Sequence, residues 1–290
     1  MTKVKKAVIP AAGLGTRVLP ASKAMPKEML TIVDKPAIQY IVEEAVESGI
    51  EDILIITNRG KTVIEDHFDR SFELESKLLS SKKEKAYEEI KKISQMANIY
   101  YIRQKETKGL GHAVYCAKSF VGDDPFAVLY GDDIIINKNN KPACLQLCEA
   151  YDKYNLGVVG IKEVSDEQIL SYSSLKVSKI EDKIYKVLDM IEKPTPDKVL
   201  SNFSILGRCV LDKNIFDLLE NLPAGKNGEI QLTDAMAAIT KTTGMIGVNY
   251  DGIRYDIGNK LEILKAIVEI GLDHVEIGKE FNNYLKNKFL

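Results

Sequence analysis

Residues 6–17 read Lys-Ala-Val-Ile-Pro-Ala-Ala-Gly-Leu-Gly-Thr-Arg, a short apolar run that leads into a loop of small residues and ends in a cation. The small residues let backbone N–H groups approach an anion, since no bulky side chain stands in the way and glycine can adopt a positive φ. They are Ala11, Ala12, Gly13 and Gly15. Arg17 adds a planar, permanently charged group that fits phosphate oxygens. The stretch predicts a strand that ends in a phosphate-binding loop.

Two further cations follow this loop. Lys23 and Lys27 lie in Pro20-Ala-Ser-Lys-Ala-Met-Pro-Lys-Glu-Met29, close behind Arg17 in the chain. Positive charge concentrated beside a loop of small residues favours a polyanionic substrate.

Two better-known phosphate motifs do not fit. A dinucleotide-binding Gly-x-Gly-x-x-Gly needs glycine where Val18 stands, and Pro20 and Pro26 interrupt the helix that should follow. The segment 60–62, Gly-Lys-Thr, looks like the end of a Walker A loop, but Ile55 occupies the first glycine position of that motif. The sequence therefore argues against both motifs.

The bulk composition is that of an ordinary globular protein. The chain has 290 residues, of which 45% are hydrophobic and 28% charged, with a formal net charge of -2. This predicts one large α/β domain or two smaller ones, and the charge balance argues against a nucleic-acid partner. No stretch has the length of a membrane span and no secretory pattern opens the sequence, so we expect no membrane association and a cytoplasmic location.

The four cysteines form no paired Cys-x-x-Cys arrangement. Cys144 and Cys148 would share one helical face, which leaves a metal pair or two buried small side chains as interpretations. The second is favoured, because two ligands without nearby histidines are too few for a metal site.

Strand-like and helical patterns alternate in the first half, which predicts a parallel sheet. The strand-like runs are residues 7–10, 53–57, 99–103 and 126–130. A helix is predicted from Pro36 to Gly49, and helical spacing also covers residues 72–96. The second half is richer in strand patterns, which suggests an added β section that covers the sheet edge. These runs are residues 157–164, 175–180, 184–191 and 203–210. Helical patterns then occupy residues 228–240 and an amphipathic tail from 260 to about 286.

Carboxylates follow two of the predicted strands. Asp132 comes after an apolar strand, at the edge where open α/β sheets bind ligands, and is a candidate Mg²⁺ ligand because Mg²⁺ prefers carboxylate and phosphate oxygens. Asp256 also stands between a strand and a helix. It could be a second ligand or an N-terminal helix cap, and the spacing leaves both interpretations open.

Two further segments could contact a substrate. Gln104 precedes a turn with Gly109, and its amide could read the edge of a base, although a strand followed by a glycine turn is also common scaffolding. Glu192 and Lys193 end another strand, where a carboxylate and an ammonium group could hold a sugar phosphate or could simply lie at the surface.

Together these segments resemble the bacterial UTP–glucose-1-phosphate uridylyltransferases, also called UDP-glucose pyrophosphorylases. The resemblance covers nearly the whole chain and is carried by motifs in the same order. They are Ala11-Ala-Gly-Leu-Gly-Thr-Arg17, Pro26-Lys-Glu-Met-Leu30, Val33-Asp-Lys-Pro36, Arg103-Gln104, Lys108-Gly-Leu-Gly-His-Ala113, Gly131-Asp132, Glu192-Lys-Pro194, Gly228-Glu-Ile-Gln-Leu-Thr-Asp234 and Arg254-Tyr-Asp256.

The resemblance implies a Rossmann-like, three-layer α/β/α fold with a mostly parallel central sheet, an additional β section and a C-terminal helical tail. It implies one nucleotidyltransferase domain over residues 1–290, with a nucleotide-binding half (1–135), a sugar-phosphate-binding half (136–258) and the tail (259–290). The tail could pack on its own domain or on another subunit, and we expect a homodimer or homotetramer.

The implied reaction converts UTP and glucose 1-phosphate to UDP-glucose and pyrophosphate, with Mg²⁺ as cofactor. Four residues are expected to act in catalysis, namely Arg17, Lys27, Asp132 and Lys193. The nucleotide would be held by Ala11, Ala12, Gly13, Gly15, Thr16, Glu28, Gln104 and Gly109, of which Glu28, Gln104 and Gly109 recognise uracil. Ser173, Glu192 and Lys193 would hold the sugar phosphate, and Asp132 and Asp256 the metal.

One segment departs from the family pattern. The family usually has Tyr-Gly followed by Val or Ile at a strand start, where this chain has Tyr172-Ser-Ser-Leu175, so that Ser173 replaces a glycine that approaches the sugar. Another sugar phosphate, dTTP in place of UTP, or a weakly active regulatory paralogue therefore remain as alternatives.

Overall fold

The computed structural model describes residues 2–138, 141–225 and 228–289. The strands in this part of the chain are β1 (Lys6–Pro10), β2 (Thr31–Ile32), β3 (Lys35–Pro36), β4 (Asp52–Thr57), β5 (Asn98–Arg103), β6 (Phe126–Leu129), β7 (Asp133–Ile136), β8 (Gly157–Glu163), β9 (Ser173–Glu181), β10 (Ile184–Glu192), β11 (Phe203–Leu211), β12 (Met245–Val248) and β13 (Ile253–Asp256).

The α-helices of the described residues lie mostly between these strands. They are α1 (Ala37–Glu47), α2 (Thr62–Phe68), α3 (Phe72–Ser80), α4 (Glu84–Ser94), α5 (Gly109–Tyr115), α6 (Lys118–Val121), α7 (Ala143–Tyr154), α8 (Asp166–Ile169), α9 (Asn214–Asn221), α10 (Leu232–Thr242), α11 (Lys260–Asp273) and α12 (Gly278–Phe289). None of the described helices is long and apolar enough to cross a membrane.

A nine-stranded sheet forms the centre, in the order β5-β4-β1-β6-β11-β8-β12-β10-β9. The pairs among β5, β4, β1 and β6 are parallel, as is the pair of β8 with β12. Strands β11 and β10 run against their neighbours, and the remaining strands share one direction. The mostly parallel sheet expected from the sequence is therefore confirmed.

Helices cover both faces of this sheet because its strands are apolar on both sides. Ala7 and Ile9 pack on one face with α1 and α7, whereas Val8, pointing the other way, packs on the opposite face with α5, α9 and α10. This alternation gives the expected three layers of helix, sheet and helix. A small third cluster joins β7 and β13 to α11.

The structure refines several predicted elements. The β section joins the central sheet, with the β9–β10 hairpin at its edge and β8 and β11 inside it. The helical pattern over 72–96 is divided between α3 and α4 at Lys82, which has a φ of 56°. The tail is likewise two helices, α11 and α12, instead of one.

A buried ion pair fixes the centre of the fold. Arg208 on β11 is 1% exposed and donates from Nε to Glu44 Oε1 on α1 at 3.0 Å and from Nη2 to the Asp133 carbonyl at 2.9 Å. Glu44 also accepts the amide of Cys144 at the start of α7, at 2.9 Å. One charge pair thus connects β11, α1 and α7 to the chain next to Asp132.

Replacing Arg208 by methionine should strongly destabilise the protein, because Glu44 would stay buried without its counter-charge. We expect a loss of about 3–5 kcal/mol in the free energy of unfolding, measured by urea titration. Adding Glu44→Gln should recover part of this loss, since it removes the unpaired charge. The control is Lys118→Met, which breaks the exposed pair with Glu220 and should change the free energy of unfolding little. A change as small as this in Arg208→Met would contradict the role of the Arg208–Glu44 pair.

Candidate active site

The predicted phosphate loop follows β1 at the carboxyl end of the sheet. The amide of Ala11 continues the pairing with β4 by donating to the Ile56 carbonyl at 2.8 Å, and the chain then leaves the sheet. Gly15 has a φ of 68°, and a side chain there would come within 3.1 Å of Ser22 Cβ and 3.3 Å of Lys27 Cβ. Glycine is therefore required where the loop packs on the turn that carries Lys27.

Cations and carboxylates alternate beside the loop. Lys27 Nζ lies 2.5 Å from Asp132 Oδ2, and Arg17 reaches Asp256 Oδ2 at 3.1 Å with one nitrogen and Asp132 Oδ2 at 3.7 Å with the other. Burial disfavours the charged forms of Lys27 and Asp132, but the ion pairs outweigh the effect of burial. The charge of Asp132 raises the pKa of Lys27. The charges of Lys27, Arg254 and Arg17 lower the pKa of Asp132. Lys27 and Asp132 are therefore held in their charged forms.

The geometry excludes one of the two interpretations of Asp256. Asn259 caps α11, because its side chain accepts from the Leu261 amide at 2.9 Å. The Asp256 side chain, which is 3% exposed, instead accepts from the Gly258 amide at 2.7 Å and from Arg17. Asp256 is therefore not the cap of this helix.

The donor set at this point fits a magnesium ion. One guanidinium group, that of Arg17, contacts both Asp132 and Asp256, which places the two carboxylates within reach of a single cation. The described residues contain no cluster of three or more His, Cys, Asp or Glu side chains suited to a metal. Two carboxylates match the need of Mg²⁺, which usually takes one or two and completes its shell with water and substrate phosphates.

Gln104 and Gly109, which the sequence predicts to contact a base, lie after β5 and at the start of α5. Gln104 is buried and its Nε2 lies 3.2 Å from the Gly109 carbonyl and 2.9 Å from His112 Nδ1. Gly109 has a φ of 89°, and a Cβ there would lie 2.8 Å from the Ile230 carbonyl. Because only glycine leaves room for this contact, segment 229–231 packs directly against the start of α5.

Glu192 and Lys193 project from the end of β10. Glu192 Oε2 accepts from Thr233 Oγ1 at 2.8 Å, and burial raises the pKa of this carboxyl group, although Thr233 and Lys193 oppose the shift. The Lys193 amide donates to the Tyr172 carbonyl at 2.9 Å. These contacts attach the expected sugar-phosphate end to α10 and to the start of β9.

Ser173 lies opposite Glu192 in the β9–β10 pair, but its hydroxyl bonds to β11. It is 4% exposed, its hydroxyl accepts from the Ile205 amide at 3.0 Å, and it lies 3.3 Å from Ser204 Oγ. Its side chain therefore points to β11, which is not the sheet neighbour of β9.

One cavity of about 490 Å³ brings most of the predicted residues together. Those in its wall are Ala12, Gly13, Thr16, Lys27, Glu28, Gln104, Gly109, Asp132, Glu192 and Lys193. Ala11, Gly15, Arg17, Ser173 and Asp256 are not part of the wall. A larger cavity of about 650 Å³ between α1, α4 and α11 contains none of the predicted residues, so its size alone does not make it the functional site.

Several contacts were not anticipated from the sequence. Glu229 and Gln231 line the cavity and are hydrogen-bonded to each other at 2.9 Å. Arg254 Nη2 lies 2.7 Å from Asp133 Oδ1, and the Arg254 guanidinium group lies over the Tyr172 ring. Burial raises the pKa of Asp133 to about 6, although the charge of Arg254 opposes this shift. Glu229 and Arg254 belong to motifs of the family resemblance, but nothing in the spacing of these motifs indicates their partners.

This chain is similar to known proteins over nearly its whole length. The family model described as Nucleotidyl transferase matches residues 6–271. The UTP–glucose-1-phosphate uridylyltransferase YngB of Bacillus subtilis is 52% identical over 285 residues, which cover 98% of this chain and 95% of that protein.

Solved structures show the same fold. A UTP-bound UGPase from Acinetobacter baumannii superposes with a TM-score of 0.89 at 40% identity, covering 99% of this chain and 100% of the other. A UDP-glucose pyrophosphorylase complexed with UDP-glucose gives a TM-score of 0.86 at 39% identity, covering 93% of this chain and 100% of the other. Since the family model and these relatives extend over nearly the whole sequence, the chain belongs to the nucleotidyl transferase family.

Proposed function

We propose that this chain transfers a uridylyl group from UTP to glucose 1-phosphate, which gives UDP-glucose and pyrophosphate. The observation that carries the proposal is the single cavity whose wall joins the small-residue loop, Lys27, Gln104 and the pair Glu192 and Lys193. It thus has groups for a triphosphate, a base and a sugar phosphate in one space. The similarity to uridylyltransferases over the full chain supports the same activity.

The chemistry requires no covalent protein nucleophile. A phosphate oxygen of glucose 1-phosphate, already anionic at neutral pH, attacks the α-phosphorus of UTP opposite the departing pyrophosphate. The difficulty is to bring two polyanions together, so catalysis consists of positioning and electrostatic stabilisation. Arg17 and Lys27 serve the triphosphate, and Lys193 serves the sugar phosphate.

Asp132 and Asp256 are the residues that would hold Mg²⁺. A bound Mg²⁺ would neutralise phosphate charge that builds up during transfer. Within the proposal, residues 1–135 bind nucleotide and 136–258 the sugar phosphate, and the reaction takes place in the cytoplasm. Assembly as a homodimer or homotetramer stays a prediction from the sequence.

Two alternatives use the same fold. A related enzyme could take another sugar phosphate or dTTP, since the phosphate-binding parts would be shared. A paralogue with weak activity could instead bind a nucleotide sugar and regulate an assembly, although the retained Arg17, Lys27, Asp132 and Lys193 argue against lost activity.

The proposal is tested by measuring pyrophosphate release with a matrix of nucleoside triphosphates and sugar 1-phosphates, with and without Mg²⁺. We expect UTP with glucose 1-phosphate to give the highest kcat/KM and release to depend on Mg²⁺. A preference for dTTP or another sugar would select the related enzyme, and binding without turnover would select the regulatory paralogue.

Asp132→Asn should preserve the fold but remove most of the metal-dependent turnover, because an amide is neutral and a far poorer Mg²⁺ ligand. We expect kcat to fall at least about 10²-fold, the usual effect of losing one preorganised electrostatic group. The measurement is kcat over a Mg²⁺ titration. Asp124→Asn, which breaks the 2.8 Å pair with Lys6 away from the cavity, is the matched control. Turnover near the control value would remove Asp132 from the mechanism.

Ser173→Gly should affect stability and leave the kinetics nearly unchanged, because the hydroxyl is bonded to β11. Losing the acceptor for the buried Ile205 amide should cost about 1–3 kcal/mol, measured by urea unfolding. KM for UTP and for glucose 1-phosphate should each stay within about twofold. A several-fold change in KM for glucose 1-phosphate alone would instead place Ser173 at the sugar, as its position in the family pattern predicts.

A further inference from the structure

Lys61 lies behind the nucleotide end of the cavity and does not form part of its wall. It is 6% exposed, although a lysine side chain normally keeps its charge in water. Its Nζ donates to Glu28 Oε2 at 2.8 Å and to the Ala11 carbonyl at 2.5 Å. Burying a charge is costly unless it is paired, so these two contacts are what keep Lys61 inside the protein.

The two partners of Lys61 belong to different parts of the site. Ala11 begins the phosphate loop after β1, whereas Glu28 lies in the one-turn 3-10 helix Lys27–Met29. Glu28 is 1% exposed yet contributes to the cavity wall. Lys61 therefore connects the loop that would receive the triphosphate to the turn that carries Lys27.

A second donor from the same segment acts on the next carbonyl of the loop. Asn58 Nδ2 donates to the Ala12 carbonyl. In a trans peptide the C=O of one residue and the N–H of the next point in opposite directions. Holding the carbonyls of Ala11 and Ala12 on the side of Asn58 and Lys61 therefore turns the amides of Ala12 and Gly13 to the other side, where these two residues line the cavity.

We propose that Lys61, assisted by Asn58, is a positioning residue for nucleotide binding: it fixes the peptide planes of the phosphate loop and holds the Glu28 carboxylate at the base. It does so without touching the nucleotide. The inference rests on the proposed function for the identity of the ligand as a nucleoside triphosphate. Lys61 lies in segment 60–62, which does not match a Walker A loop, and under this inference it has another role beside a phosphate.

The test compares Lys61→Met with Lys6→Met. Lys6 is a matched control because it also donates to two carbonyls, those of Phe120 and Val121 at 3.1 and 3.0 Å, and pairs with a carboxylate, but at the opposite end of β1 from the loop. Calorimetric titration with UTP and with dTTP in Mg²⁺ buffer gives Kd, and steady-state kinetics give KM for each substrate.

In Lys61→Met we expect Kd for UTP to rise at least about tenfold, the size of one charge-assisted hydrogen bond, while KM for glucose 1-phosphate stays within about twofold. Lys6→Met should lower the melting temperature and leave Kd unchanged. Equal Kd values in the two variants would overturn the inference, because a merely structural lysine would not separate nucleotide from sugar-phosphate affinity.

Further variants cover the case in which Lys61→Met does not fold with Glu28 unpaired. In the Glu28→Gln background, Lys61→Met should still weaken UTP binding severalfold, since the Ala11 carbonyl loses its donor, and Asn58→Ala should do the same through Ala12. No effect from either change would overturn the inference. If wild type binds dTTP more tightly than UTP, the proposed function fails, but the same variants measured with dTTP still decide the role of Lys61.

Discussion

The ion pair between Lys27 and Asp132 joins two segments that are far apart in sequence at the carboxyl edge of the sheet. Lys27 follows β1 and Asp132 follows β6, and these strands are parallel neighbours, so both chains leave the sheet side by side. Neither charge could stay in this partly buried position alone, because an unpaired charge away from water is costly. The pair therefore fixes the distance between the phosphate loop and the carboxylates, on which the rest of the site depends.

Backbone contacts hold the second carboxylate beside the first. Strands β7 and β13 pair antiparallel, with Asp133 opposite Asp256, and the Ile257 amide donates to the Asp132 carbonyl at 2.8 Å. From the other side, Arg208 donates to the Asp133 carbonyl. Asp132 and Asp256 are thus placed by main-chain pairing and a buried ion pair.

The sequence predicts well those features that depend on local patterns. The parallel strands of the first half are short runs of β-branched residues that are apolar on both faces, and the loop after β1 is rich in small residues. The helix break at Lys82 and the division of the tail were missed, because charged and apolar residues continue at helical spacing across both breaks. These patterns therefore predict where helical segments lie, but not where each helix begins and ends.

Pairing between distant segments leaves no local signal, and the candidate site depends on it. Nothing in the order of residues indicates that β7 pairs with β13, which is what brings Asp256 to Asp132. The contacts of Lys61 were invisible for the same reason, since its partners are Ala11 and Glu28 on other segments. The position of Ser173 in a family motif predicted a sugar contact, whereas the hydrogen bond of its hydroxyl depends on β11, a strand about thirty residues further along the chain.

The charge balance of the site couples nucleotide and metal under the proposed reaction. Arg17 is paired with Asp256 and Lys27 with Asp132, so each cation already has a counter-charge before any phosphate arrives. A triphosphate that takes these cations as partners would leave Asp132 without its nearest counter-charge and Asp256, which is only 3% exposed, with the Arg254 guanidinium at 4.0 Å from its Oδ2. Such a loss of pairing for buried carboxylates is costly. A divalent cation that entered with the triphosphate would supply positive charge to these carboxylates. Each ligand would then favour binding of the other by the same free energy.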